Sequence, residues 1–90
     1  MNDVQQIPIL HRHFRLQWEP VQDGFVLLYP EGMVKLNESA GEILSACNGV
    51  RSVAEISRFL EEKYPEGEGI AEDVIDFFTG ANDKGWTHFV

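Results

Sequence analysis

Three histidines, one cysteine and fifteen acids are the side chains of this 90-residue sequence with chemistry to offer. His11 and His13 stand two apart, so both rings fall on one side of an extended segment, while His88 lies at the far end of the chain. Zinc needs three or four converging ligands, commonly supplied as closely spaced pairs. One pair is present, and the histidines read as surface residues near the chain ends. Cys47 would need exposure, a lowered pKa and a neighbouring base to act as a nucleophile. It instead follows Ala40, Ile43 and Leu44 at i, i+3, i+4, i+7 spacing, which reads as the packing stripe of a helix. A single cysteine forms no internal disulfide, and a buried lone thiol suits a reducing cytosol.

The acids are concentrated. Glu61, Glu62, Glu66, Glu68, Glu72, Asp73 and Asp76 face one base, Lys63, across that stretch, and the net charge of the chain is −8. The plainer reading is a solvated face, and the sharper one is a patch that selects a basic partner. Acid–base catalysis needs carboxyls whose pKa values are driven apart in a desolvated cleft. A domain of this size buries only about 60–65% of its unfolded surface, which leaves little room for such a cleft. Gly67 and Gly69 precede a helix, but Glu66 and Glu68 beside them would repel phosphate. The negative charge also opposes binding to nucleic acid and to anionic lipid. The expectation is a protein with no enzymatic activity, no cofactor and no metal.

Hydrophobic residues make up 43% of the chain and mean hydropathy is −0.21, values of an ordinary soluble domain. The longest apolar run, Phe25–Tyr29, is far short of a membrane span. The first residues hold an acid and no Lys or Arg before Arg12, unlike a secretory signal. A cytoplasmic, single-domain protein is expected, with residues 1–11 as an N-terminal arm and 12–90 as the domain. The arm lacks periodicity, although Ile7, Ile9 and Leu10 could pack on a partner subunit.

The elements follow from local pattern. Phe14-Arg15-Leu16-Gln17-Trp18-Glu19 alternates, predicting a strand with Phe14, Leu16 and Trp18 inward. Pro20 and Gln22-Asp23-Gly24 end it. Phe25-Val26-Leu27-Leu28-Tyr29 is apolar on both faces, as in a central strand. Pro30-Glu31-Gly32 turns the chain into a third strand, Met33-Val34-Lys35-Leu36. Asn37 then caps a first helix, with Ser39 and Glu42 offering a competing capping box, and Asn48-Gly49 stops it. Ser52 and Glu55 form a capping box for a second helix, whose buried face is Val53, Ile56, Phe59 and Leu60. Tyr64-Pro65 closes it. A third helix runs from about Ile70 to Asp83 on Ile70, Val74, Phe77, Phe78 and Ala81. Gly80 is a weak point in it. Trp86-Thr87-His88-Phe89 offers a last extended piece.

The expected fold is therefore α+β and winged-helix-turn-helix-like: a three-stranded antiparallel sheet followed by three helices. A helix-turn-helix raises the possibility of a nucleic-acid-binding module. DNA readers place cationic and amide side chains on the recognition helix, and here the third helix has no Lys or Arg before Lys84. Arg58 and Lys63 on the second are offset by Glu55, Glu61 and Glu62. The third strand is more informative. It is an edge of a simple meander, guarded only by Lys35, so its backbone could pair with an incoming extended peptide. A structural alternative pairs that edge with the arm of a second copy, giving a homodimer.

Several stretches resemble the coenzyme PQQ synthesis protein D (PqqD) family. They are Arg15-Leu16-Gln17-Trp18-Glu19, the distinctive Val26–Asn37 segment VLLYPEGMVKLN, Ser39-Ala40, Glu42-Ile43-Leu44, Asp73-Val74 and Gly85-Trp86. The resemblance runs over about residues 12–88. It implies a non-catalytic domain that binds the ribosomally made precursor peptide PqqA and presents it to the radical SAM enzyme PqqE in pyrroloquinoline quinone biosynthesis. It also implies where the peptide lies: along the third strand, Gly32, Met33, Val34, Lys35 and Leu36, in a groove walled by Ile70, Asp73, Val74 and Phe77 of the third helix.

Overall fold

A computed structural model describes residues 4–90. The order of elements is β1 (Pro8–Leu10), β2 (Arg15–Glu19), β3 (Gly24–Tyr29), β4 (Gly32–Lys35), α1 (Glu38–Ala46), α2 (Val53–Lys63), α3 (Ile70–Asp83) and β5 (Thr87–Phe89). This is an α+β chain, with antiparallel sheets and three helices.

The expected meander is present, in the order β2-β3-β4. Leu16 pairs with Leu27, which pairs in turn with Val34, so one cross-strand row of aliphatic side chains runs over the sheet. Tyr29 pairs with Gly32, leaving Pro30 and Glu31 as a two-residue turn that sets the register of β4. Val26 and Leu27, adjacent on β3 and so on opposite faces, are both buried, as a central strand requires.

α1 follows β4 directly because Asn37 accepts a hydrogen bond from the Ala40 N–H at 2.8 Å. That cap prevails over the alternative at Ser39, and the Glu42 side chain is left for other partners. α1 packs on β3, where Gly41 lets the helix sit against the Phe25 ring. A Cβ at Gly41 would fall 2.9 Å from Phe25 Cδ2. Both bonds of the Ser52–Glu55 capping box form at the start of α2. The three helices enclose the core of Ile43, Ala46, Val53, Ile56, Leu60, Val74 and Phe78.

The structure corrects three sequence readings. Pro8–Leu10, expected in an N-terminal arm outside the domain, forms β1 and pairs antiparallel with β5, Pro8 opposite Phe89 and Leu10 opposite Thr87. The preceding residues are tied in as well, since the Gln6 carbonyl accepts from Val53 N–H and the Val4 carbonyl from Ala54 N–H, at 3.0 and 2.8 Å. These bonds satisfy donors in the first turn of α2, which have no partner within the helix. Trp18, expected inward, is 50% exposed and meets Phe25 edge-on at 5.2 Å. It lies on an outer strand, beyond the cover that α1 gives to β3. Phe59, expected in the buried face of α2, is 39% exposed beneath the Arg51 guanidinium at 4.2 Å. The inward position goes to Ser57, whose hydroxyl donates to the Val53 carbonyl at 3.1 Å. The third helix has the expected bounds: α3 runs through Gly80 without a break, with Val74, Phe78 and Ala81 buried on both sides of the glycine.

Candidate functional site

The geometry of β4 decides what its edge can offer. The Leu36 N–H donates to the Phe25 carbonyl at 3.1 Å. Bonding alternates along an antiparallel pair, so Leu36, Val34 and Gly32 direct their backbone groups toward β3. Met33 and Lys35 direct theirs outward. Among the described residues no strand pairs with that outer side. The open edge is therefore a ladder of two N–H and two C=O groups, on residues whose own side chains are exposed, Met33 to 45%. Val34 is half-buried opposite Leu27.

Two cavities flank α1. The smaller, about 480 Å³, begins at the end of β4. Lys35, Leu36, Trp18 and Phe25 line it together with Glu38 and Glu42 of α1. The larger, about 770 Å³, lies between α1, the end of α2 and the start of α3. Ile43, Leu60, Ile70 and Val74 give it an apolar floor, and Glu38, Glu42, Glu66, Asp73 and Lys63 stand around it. Glu38 and Glu42 border both cavities, so the two adjoin across one face of α1.

Glu42 is held in place there. Lys63 Nζ lies 3.0 Å from its Oε2, and the Tyr64 hydroxyl donates to the same oxygen at 2.5 Å. The Tyr64 hydrogen bond, with Lys63 behind it, holds the Glu42 carboxyl below the usual carboxylate range. The same contacts push the Tyr64 and Lys63 pKa values upward. Glu42 is thus a fixed negative charge at the junction of the two cavities.

The expected site residues divide between these spaces. Lys35 and Leu36 line the smaller cavity; Ile70, Asp73 and Val74 line the larger. Gly32, Met33 and Val34 continue the open strand. Phe77 borders neither space. It is half-buried, with its ring edge-on to Phe78 at 5.3 Å, and packs against the core. Val74 is fully buried, so it contributes to the floor of the cavity and not to a wall. Sequence reasoning missed that α1 borders both cavities. Glu42 read as a capping residue and Tyr64 as a helix stop, and nothing in their spacing announces that they meet.

The other chemistry-bearing residues are elsewhere. The pairing of β1 with β5 brings His88 beside His11, ring centroids 5.8 Å apart, and His13 stacks on His11 at 4.8 Å. Among the described residues no group of three His, Cys, Asp or Glu is placed to hold a metal ion. The Cys47 thiol donates to the Pro8 carbonyl at 3.2 Å, and burial pushes its pKa up to about 11. That is the opposite of what a nucleophile needs. Among the described residues no helix is long and apolar enough to cross a membrane.

Comparison with known proteins adds to this geometry. The family described as coenzyme PQQ synthesis protein D (PqqD) matches residues 24–86. A protein of Azotobacter vinelandii named PqqA binding protein is 53% identical over 83 residues, covering 92% of this chain and 90% of its own. Proteins of the same name from Klebsiella pneumoniae and Rahnella aquatilis are 48% and 46% identical, over 89% and 91% of this chain and 87% and 86% of theirs. Among solved structures, the solution NMR structure of the PqqD truncation of Methylobacterium extorquens PqqCD superposes with a TM-score of 0.76 at 28% identity. It covers 91% of this chain and 88% of that one, and is described as a functional, stand-alone recognition element for ribosomally synthesized and post-translationally modified peptides.

Proposed function

The chain belongs to the coenzyme PQQ synthesis protein D family, and we propose that it binds the precursor peptide PqqA by adding it as a strand to the outer edge of β4. In this reading the domain is winged-helix-like and does no chemistry itself. It fixes the register of the peptide through backbone pairing and presents it, in the cytoplasm, to the radical SAM enzyme PqqE. Holding the peptide close to the enzyme raises its local concentration at the active site.

The observation that carries the proposal is the open edge, in which the N–H and C=O groups of Met33 and Lys35 face outward with no strand of the described residues against them. Strand addition uses such groups for affinity and leaves selectivity to the neighbouring pockets. The smaller cavity at α1 begins at the Leu36 end of that edge, and the larger adjoins it across Glu38 and Glu42. The naming of relatives as PqqA binding proteins supports the choice of ligand.

The test uses proline, which removes a donor without needing to disturb the inner side of an edge strand. Lys35→Pro should keep the fold, because the Lys35 N–H makes no bond to β3, and should weaken PqqA binding about tenfold, the upper range for one lost hydrogen bond. Val34→Pro removes an inward donor and should instead open the β3–β4 hairpin. A folded Lys35→Pro protein that binds PqqA like the parent would rule out strand addition at β4.

A further inference from the structure

We infer that the protein associates with a second copy of itself through β2, whose outer edge pairs antiparallel with the same edge of the partner. β2 lies on the opposite side of the meander from β4, so this contact leaves the peptide edge free.

Among the described residues no strand pairs with the outer side of β2. The bonding alternation fixes what that side presents. The Leu36 N–H bonds to the Phe25 carbonyl, so Phe25, Leu27 and Tyr29 direct their backbone groups toward β4, and Val26 and Leu28 direct theirs toward β2. Their register partners, Gln17 and Arg15, therefore bond inward, while Leu16 and Trp18 turn their N–H and C=O groups outward. Edge strands are commonly protected by a central charge, a proline or a bulge. β2 has none of these. Its register with β3 is unbroken from Arg15 to Glu19, and its middle residues Leu16, Gln17 and Trp18 are uncharged. The Trp18 side chain is exposed beside that edge.

The sequence of the strand says what fits there. Arg15-Leu16-Gln17-Trp18-Glu19 is complementary to its own reverse. Two copies placed antiparallel about a two-fold axis at Gln17 set Leu16 opposite the partner's Trp18, and Trp18 opposite the partner's Leu16. These are the residues whose backbone groups point outward, so register and bonding parity agree, and the free N–H and C=O groups of both strands are satisfied together. The same register sets Arg15 opposite the partner's Glu19 at each end. Neither Arg15 nor Glu19 has an ion pair within the described residues, so both are free to form this one. Residues opposite in register share a face. Leu16 therefore meets the partner's Trp18 on one face, and the ion pairs lie on the other. A slip by two residues would keep the parity but lose both ion pairs, so charge selects the register. The contact is isologous and closes as a dimer without propagating. It makes one continuous sheet with a β4 edge at each end, able to hold a peptide on each copy.

A strand pair of this length buries less than a standard interface, so the dimer should dissociate with a constant on the order of 10–100 μM. The test is sedimentation equilibrium of the full chain from about 5 μM to about 1 mM, with amide NMR shifts followed over the same range. The parent should dimerise, with shifts centred on Leu16 and Trp18. Arg15 is exposed, and Arg15→Glu sets like charges opposite each other at both ends. It should weaken the dimer about tenfold. Glu19→Arg should act in the same direction. The double variant Arg15→Glu/Glu19→Arg restores opposite charges with reversed sign and should recover most of the parental affinity. Circular dichroism checks each variant for fold, and the parent's shifts decide the edge even where a variant loses it. A parent that stays monomeric at about 1 mM would overturn the proposal. So would a dimer whose shifts lie in β1, β4 or β5, or one that folded charge-reversal variants leave intact.

Discussion

Single residues set the conditions under which this fold holds. Gly41 is required by close approach rather than by backbone angle. Its replacement by Ala would press a methyl into the Phe25 ring at 2.9 Å. Gly41→Ala should cost about 1–3 kcal/mol, in the range of overpacked cores, and urea denaturation would measure it. Cys47 reports on burial. With its pKa raised to about 11, it holds far less thiolate at pH 8 than a free cysteine. Alkylation by iodoacetamide should be roughly a hundredfold slower in the folded protein than in the unfolded chain. The same shift has a stability sign. The neutral thiol is favoured in the folded state, so its contribution is complete below the ordinary thiol value of 9.0 and is lost as pH rises through about 11. Replacing Cys47 by Val should remove that alkaline dependence from a series of unfolding curves. At this scale the sequence was readable where a residue acts on near neighbours, as at Ser52 and Asn37. It was silent where residues meet from afar. Glu42 and Tyr64 belong to different helices, and only the fold brings them together.

At the scale of elements, the meander and all three helices were legible because their signals are local: strict alternation, the Pro30-Glu31-Gly32 turn signal, caps and 3.6-residue stripes. Trp18 and Phe59 were misread for a shared reason. Periodicity gives the direction of a side chain but not whether another element covers it. Ser52→Ala, which removes half of the capping box, should cost about 1 kcal/mol. Gly80→Ala should have the opposite effect. The position is helical and helix-interior, and the nearest side-chain atom a Cβ would meet is Lys84 Nζ at 3.8 Å, an ordinary contact distance. A gain of about 0.5–1 kcal/mol is expected, visible as a raised melting temperature. The pair β1 and β5 was not legible. Each strand has three residues, too few for a periodic signal, and the partners lie at opposite ends of the chain. Their bond to each other is a property of the closed molecule.

The whole molecule is closed by that pairing. Beyond the strand ladder, His11 N–H donates to the Trp86 carbonyl at 2.7 Å and Val90 N–H to the Ile7 carbonyl at 3.0 Å, while the segment before β1 ties down the start of α2. Removing residues 1–10 should therefore destabilise the entire domain by about 2–4 kcal/mol. A detachable arm would leave the denaturation midpoint unchanged. The closure fixes the helical layer, and with it the cavities at α1, while among the described residues no strand pairs with the outer side of β4. The family resemblance implies a peptide along the strand and α3. In the structure α1 borders both cavities, with Glu42 fixed between them. The most direct measurement is amide hydrogen exchange, read residue by residue along β4 without and with saturating PqqA. Outward-facing Met33 and Lys35 amides should exchange fast in the free protein and become strongly protected with peptide, while Val34, already bonded to β3, changes little. Unchanged fast exchange at Met33 and Lys35 in the presence of bound PqqA would contradict strand addition at this edge.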